Sequence, residues 1–302
     1  MPKKPESAAA SRLTGAPDMP TVSSEDIRQE IGPDIGSAAV AILSTAQAAE
    51  KARLAQAVGA AWFHGQLDFA FRAPPPDRPA RPARPALRLP RDMPRRRAGG
   101  VKGRFALLHA LSHIELNAID LAFDMVARFG PQCSRAFTSD WVQVGSEEGK
   151  HFNLLAERLH LLSGQYGDLP AHDGLWDAAY STRDNILARL AVVPMVLEAR
   201  GLDVTPAMID KLERVGDPDS ADVLRIIYED EKGHVAAGSR WFTHEIEKRA
   251  LAPAETFHAL VRQHFRGDLK RPFNDAARLS AGLPADFYEP LAEDYQTVNK
   301  ET

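Results

Sequence analysis

The chain has 302 residues, 44% apolar and 26% charged, with a net charge of −4, the profile of a globular protein long enough to bury a core. That balance excludes a global pull toward nucleic acid or anionic membrane, and no apolar run approaches the roughly 20 residues of a membrane span. Cys133 is the single cysteine, which excludes an intrachain disulfide and a cysteine metal cluster. With an N-terminus lacking a signal peptide's apolar stretch, it predicts a cytoplasmic protein.

Few aromatic residues and short β-branched runs make helix the expected element, and the reading is all-α. Residues 1–22, rich in Ala, Ser and Pro, read as a disordered tail. An N-terminal helical extension follows over 23–71, with one Ala- and Leu-dense helix expected over about 37–69. From 72 to 102 the chain turns proline- and arginine-rich (PPPDRPARPARPALRLPRDMPRRR). Proline at that density excludes a helix interior and favours extended backbone. Two readings stand: a basic arm for phosphate or nucleic acid, or a strap whose arginines pair with an acidic helical domain. The acidic total favours the strap.

Residues 103–250 read as four long helices, the number and length of a bundle of two antiparallel pairs. The first covers about 103–129 and stops at Gly130-Pro131. The second covers about 135–162 and leads into a Gly/Asp/Pro-rich loop. The third covers about 181–200, kinked at Pro194 and ending at Gly201, with a short helix from Thr205-Pro206 to about Val215. The fourth opens on Pro218-Asp219-Ser220 and reaches about Arg249. A C-terminal extension and tail, 251–302, is expected to pack helices on the outside.

Two helices carry Glu-x-x-His: Glu148-Gly-Lys-His151 and Glu231-Lys-Gly-His234. That spacing puts carboxylate and imidazole on one face, one turn apart, able to ligate one ion. A single copy more often marks a solvated face. Here, however, Glu115 precedes Glu148 by 33 residues, and Glu198 precedes Glu231 by 33 residues. The flanks repeat too, with Asp120 and Asp203 each five residues past the first glutamate. This internal two-fold repeat matches the inward-facing ligands of di-iron carboxylate bundles. Glu115, Glu148, His151, Glu198, Glu231 and His234 are therefore the expected ligands of two metal ions, iron first and manganese second. Two divalent ions would neutralise four carboxylates that otherwise repel. Which glutamate bridges is not readable.

Beside the motifs, Glu147 and Asp230 invite two readings. One is support of the opposite helix's histidine (Asp230 to His151, Glu147 to His234); the other is simple solvation. Trp141 is expected in the core. Tyr228 is the candidate catalytic residue, placed to line the pocket, bond a ligand or relay an electron. His109 and His113 read as packing histidines, and Arg200 with Asp203 as an ion pair or cap at a helix end.

HALSHIELNAIDLAFD, SEEGKHFNLLAERL, MVLEARGLDVTP, YEDEKGHV and LKRPFNDAARLSAG, with the RDMPRR of the basic arm, resemble the ferritin-like family called domain of unknown function 455. The resemblance covers about residues 40–290. It implies a ferritin-like four-helix bundle with the di-metal site at those six residues, and no substrate. The expected function is a di-iron carboxylate oxidoreductase, using dioxygen or peroxide on a small molecule and drawing electrons from a separate donor, since no cysteines build a rubredoxin centre. The alternatives are a tRNA-modifying hydroxylase, supported by the basic arm alone, and iron binding or detoxification without an organic substrate. The long extra segments disfavour a storage cage, so a monomer or homodimer is expected.

Overall fold

Twelve α-helices and no strand occur among the described residues of the computed structural model, which are 24–89, 92–93 and 100–298, side chains of 24–27 and 293–298 excepted. The expected tail 1–22, the cluster Arg95, Arg96 and Arg97, and the last residues lie outside them. The N-terminal extension forms α1 (Ser24–Ile31), α2 (Ile35–Ser44) and α3 (Ala48–Phe63). Asp34 starts α2 by accepting a hydrogen bond from the Ser37 N–H. The single helix expected over 37–69 is thus two. At the break the Thr45 hydroxyl donates to the Ala41 carbonyl, a local bond that competes with helix continuation.

The central helices are α4 (Gly100–Phe129), α5 (Arg135–Leu161), α6 (Gly174–Ser181), α7 (Ile186–Val192), a π-helical turn (Val193–Glu198), α8 (Ala199–Arg214) and α9 (Pro218–Lys248). Ser134 caps α5 and Asp217 caps α9, each accepting from a backbone N–H three residues on. Short connections make α4 with α5, and α8 with α9, antiparallel pairs, and α5 packs on α9. Close approach needs glycine: a Cβ at Gly145 would sit 2.5 Å from the Phe123 ring, and one at Gly238 2.5 Å from Pro194 Cβ.

The third helix differs from expectation. Instead of ending at Gly201, it starts at Ile186, passes through the π turn and continues to Arg214. Pro194 has no N–H to give, and the ladder widens there, with the Ala199 N–H donating to the Pro194 carbonyl five residues back. Pro206 leaves the Leu202 carbonyl without its usual donor, and the Asn274 side-chain amide takes that place at 3.1 Å. The loop expected before Ser181 also holds α6, which buries Trp176.

The described part of the proline-rich segment is extended and tied down. Arg81 donates to Asp120 at 2.6 Å and to Asn117 at 2.6 Å, and Arg78 pairs with Asp173 at 2.8 Å. Leu87 bridges to Ala171 through backbone hydrogen bonds. These pairs support the strap reading. Lys51, 1% exposed, reaches the other oxygen of Asp120 at 2.5 Å. The C-terminal extension forms α10 (Pro253–His264), α11 (Asp275–Ser280) and α12 (Ala285–Val298), which pack on α7, α8 and α9 and add Phe257, Tyr288 and Leu291 to the main core. No helix among the described residues is long and apolar enough to cross a membrane.

Asp120→Ala would leave the Lys51 ammonium buried without its carboxylate, at an expected cost of about 3–5 kcal/mol. Urea denaturation measures it, and the double variant Asp120→Ala/Lys51→Met should recover part of the loss, since the Lys51 charge is then gone while Arg81 keeps Asn117 and Asp173 as partners.

Candidate metal centre

Glu148 and His151 face inward from α5, and Glu231 and His234 from α9. Glu115 reaches them from the middle of α4, and Glu198 closes the π turn. Glu115, Glu148, His151, Glu231 and His234 are buried. Glu198 is partly exposed as a residue, but its Oε2 is buried.

Glu148 lies between the two histidines. Its Oε2 is 3.2 Å from His151 Nδ1 and its Oε1 is 3.0 Å from His234 Nδ1. Glu115 Oε2 approaches His151 Nδ1 at 3.4 Å, and Glu231 Oε2 approaches His234 Nδ1 at 3.6 Å. Two groups result, each with ligand atoms within 4.8 Å of one another and able to hold a metal ion: Glu115, Glu148 and His151, and Glu148, Glu231 and His234. Glu148 belongs to both. Glu198 stands outside these tight groups, yet it feels the charges of Glu231, Glu148 and His234 and shares a cavity wall with Glu115 and Glu231.

The opposite ring nitrogens have fixed partners. His151 Nε2 donates to Asp230 Oδ2 at 2.9 Å, and His234 Nε2 donates to Glu147 Oε2 at 2.9 Å. Each acid thus supports the histidine of the opposite helix, the first of the two readings that their positions allowed. Lys150 pairs with Asp230, and Gln143 donates to Glu147. Nothing in the motif spacing signalled Lys150 and Gln143.

Burial pushes Glu198 up to about 8, with Glu231 and Glu148 adding repulsion. Burial, then the charge of Glu148, holds Glu115 well above the usual carboxylate range, and burial raises Glu231. Burial also opposes ionisation of Glu148, but His234 and His151 outweigh it and hold Glu148 below that range. Both histidines titrate high because the surrounding carboxylates overcome the burial that penalises their charge. Glu115 Oε2, Glu198 Oε2 and Glu231 Oε2 have no hydrogen-bond partner among the described residues. Buried carboxylate oxygens that lack donors, facing two imidazole Nδ1 atoms, fit divalent or trivalent hard-to-intermediate ions.

The remaining candidates fall elsewhere. Trp141 is core, edge-on to Phe137. His109 accepts from the Gly167 and Leu169 N–H groups, and His113 bonds the Tyr166 hydroxyl and the His172 carbonyl, so both are packing histidines. Asp203 lies within α8 rather than at a helix end, and its buried side chain takes Arg278, the Asn274 N–H and Arg200. The Tyr228 hydroxyl accepts from the Asn274 amide at 3.0 Å, and Lys232 lies 4.6 Å over its ring. Tyr228 is not part of the cavity wall that Glu115, Glu198 and Glu231 share.

Fold and site together define an all-helical protein whose internal repeat assembles two buried Glu/Glu/His groups sharing Glu148, with Glu198 beside them. Residues 44–289 match the family described as protein of unknown function (DUF455), and the chain belongs to that family. An uncharacterized protein of Haemophilus influenzae is 40% identical over 215 residues, 69% of this chain and 75% of the relative. No solved structure matches the chain.

The raised groups set a pH dependence. Between pH 6.5 and about 8, native Glu198 holds a proton that the unfolded chain has released, and Glu115, His151 and His234 are shifted in the same direction. The metal-free protein should therefore lose stability as pH rises through that window. Metal binding displaces those protons, so apparent affinity should rise about tenfold per pH unit for each proton released. Thermal melts with and without metal, at both ends of the window, check the sign.

Proposed function

We propose that the chain is a ferritin-like four-helix bundle, with α4, α5, α9 and the helix running through the π turn into α8 as its members, and that it acts as a di-iron carboxylate oxidoreductase. The observation that carries this reading is the pair of Glu/Glu/His groups sharing Glu148, built by a sequence repeat and backed by buried oxygens without donors. Glu115, Glu148 and His151 would hold one ion. Glu148, Glu231 and His234 would hold the other, with Glu198 completing its charge; Glu148 stands in both sets.

The histidines would bind through Nδ1, because Asp230 and Glu147 occupy their Nε2 positions. Those acids orient each ring and raise its basicity. A pair of iron ions bound there supplies the electron exchange needed to oxidise a substrate with dioxygen or peroxide; manganese suits the same donors. The glutamates release their protons when ions bind, and the high-titrating Glu198 is the group best placed to take one back. Apolar side chains wall the cavity beside Glu115, Glu198 and Glu231 and keep water from the reacting atoms. The substrate is a small molecule, and an external donor returns the electrons.

Protein loaded anaerobically with Fe(II) should hold about two ions per chain and develop an oxo-bridged absorption band on exposure to air. Glu148→Ala should lose both ions, since both groups use that side chain. Asp230→Ala should weaken metal affinity about 10–100-fold while leaving the fold intact. Wild-type protein far below two ions per chain, with no change in Glu148→Ala, would sink the reading.

A further inference from the structure

Two cavities adjoin at Leu197 and Arg200, which line both. The first, about 140 Å³, is walled by aliphatic side chains such as Leu111, Ala118 and Val204, and by Glu115, Glu198 and Glu231. An aliphatic cavity of roughly 150 Å³ accepts benzene, so this one suits a ring or short branched chain. It also has space beside the glutamates because position 201 is glycine: a Cβ there would meet only Glu231 Cδ, at 3.9 Å.

The second cavity, about 330 Å³, lies between Leu197 and Arg200 on one side and Phe265, Leu269, Lys270, Phe273 and Arg278 on the other. Arg278 is 2% exposed and sits 4.9 Å from the Phe273 ring and 4.5 Å from the Tyr288 ring. Its Nε and Nη2 donate to Asp203. Its Nη1 is buried with no hydrogen-bond partner among the described residues. A buried guanidinium N–H without an acceptor is costly and calls for one. Arg200 Nη1 shares that Asp203 and also donates to the Lys270 and Pro272 carbonyls, so one carboxylate serves two arginines. Lys270 and Asp268 also line the wall and offset each other in charge, so the second cavity keeps a positive excess.

We propose that the two cavities together bind one small organic acid, its benzene-sized apolar group beside the glutamates and its carboxylate or phosphate at Arg278 and Arg200. The orientation follows from the walls: the first cavity is mostly aliphatic around its glutamates, whereas the second carries Lys270 and Arg278 with Arg200. Calling this ligand a substrate rests on the oxidoreductase reading; the binding itself does not.

Isothermal titration of the full chain, metal-free and metal-loaded, with phenylbutyrate, phenethyl phosphate and neutral phenylbutanol tests it. At least one acid should bind about tenfold or more tighter than the alcohol, as a charge-assisted hydrogen bond requires. The better acid identifies the head group. Gly201→Val should weaken all three probes by filling the first cavity. Arg200→Gln should remove the preference for acids and leave the alcohol's binding unchanged; Arg278→Gln should do the same, and Arg200→Gln decides the matter if Arg278→Gln does not fold. Equal binding of acid and alcohol, no binding of any probe to folded protein, or full binding to Gly201→Val would each overturn the proposal. Metal content of the same samples separates the two readings. Two ions without acid preference overturn this inference alone, whereas acid preference without metal upholds it and removes the oxidoreductase.

Discussion

Placing Glu115, Glu148, Glu198 and Glu231 with His151 and His234 between packed helices is the constraint that shapes the rest of this molecule. Carboxylates in a low-dielectric interior repel one another and resist ionisation, and the raised Glu115 and Glu198 record that cost. The protein offsets part of it with two imidazoles, each gripped from behind by an acid of the neighbouring helix. The remainder is an imbalance that bound cations would remove. A cluster this strained demands a rigid frame, because helices free to move apart would admit water and dissolve it.

The frame repeats the two-fold character of the cluster. Five residues beyond Glu115 lies Asp120, and five beyond Glu198 lies Asp203; the side chains of both are fully buried. Asp120 takes Lys51 from α3 and Arg81 from the proline-rich strap. Asp203 takes Arg278 from α11 and the Asn274 N–H before it. The segments added at either end of the central helices are therefore clamps rather than ornaments. Each inserts a cation one and a half turns from a cluster glutamate and fixes the rotation of the helix that carries it. A buried pair of this kind adds little net stability, but breaking it is expensive, which makes it a good device for setting register.

Much of this was legible in sequence, and for one reason: period and spacing survive in one dimension. Pro218-Asp219-Ser220 reads as a capping cluster and places the start of α9, although the side chain that caps it is Asp217. The six cluster residues were found because the 33-residue interval occurs twice. Even the exchange of Asp230 and Glu147 across to the opposite histidines could be posed as one of two choices. What escaped was whatever depends on a partner far along the chain. Pro206 reads as a helix start until Asn274 is seen supplying the hydrogen bond that proline frees. Pro194 reads as a simple kink, whereas the ladder absorbs it as a π turn against Gly238. Tyr228 shares the motif stripe by spacing, yet its hydroxyl is held by Asn274. Asn274 itself carries no local signal of any role.

The clamps also differ in when they exist. A chain is made from its N-terminus, and early segments begin to fold first. Lys51 and Arg81 have been synthesised before Asp120 appears, so the first half of the cluster meets a waiting clamp. Asp203 is made well before Asn274 and Arg278, and its half stays unclamped until those residues have been made. Synthesis order thus imposes a sequence on a centre that is symmetric in its residues: the Glu115 half can set early, and the Glu198 half only after Arg278. An ion met earlier in synthesis would find half a cluster, and a chain extended past Arg278 is the first form that can offer the whole one.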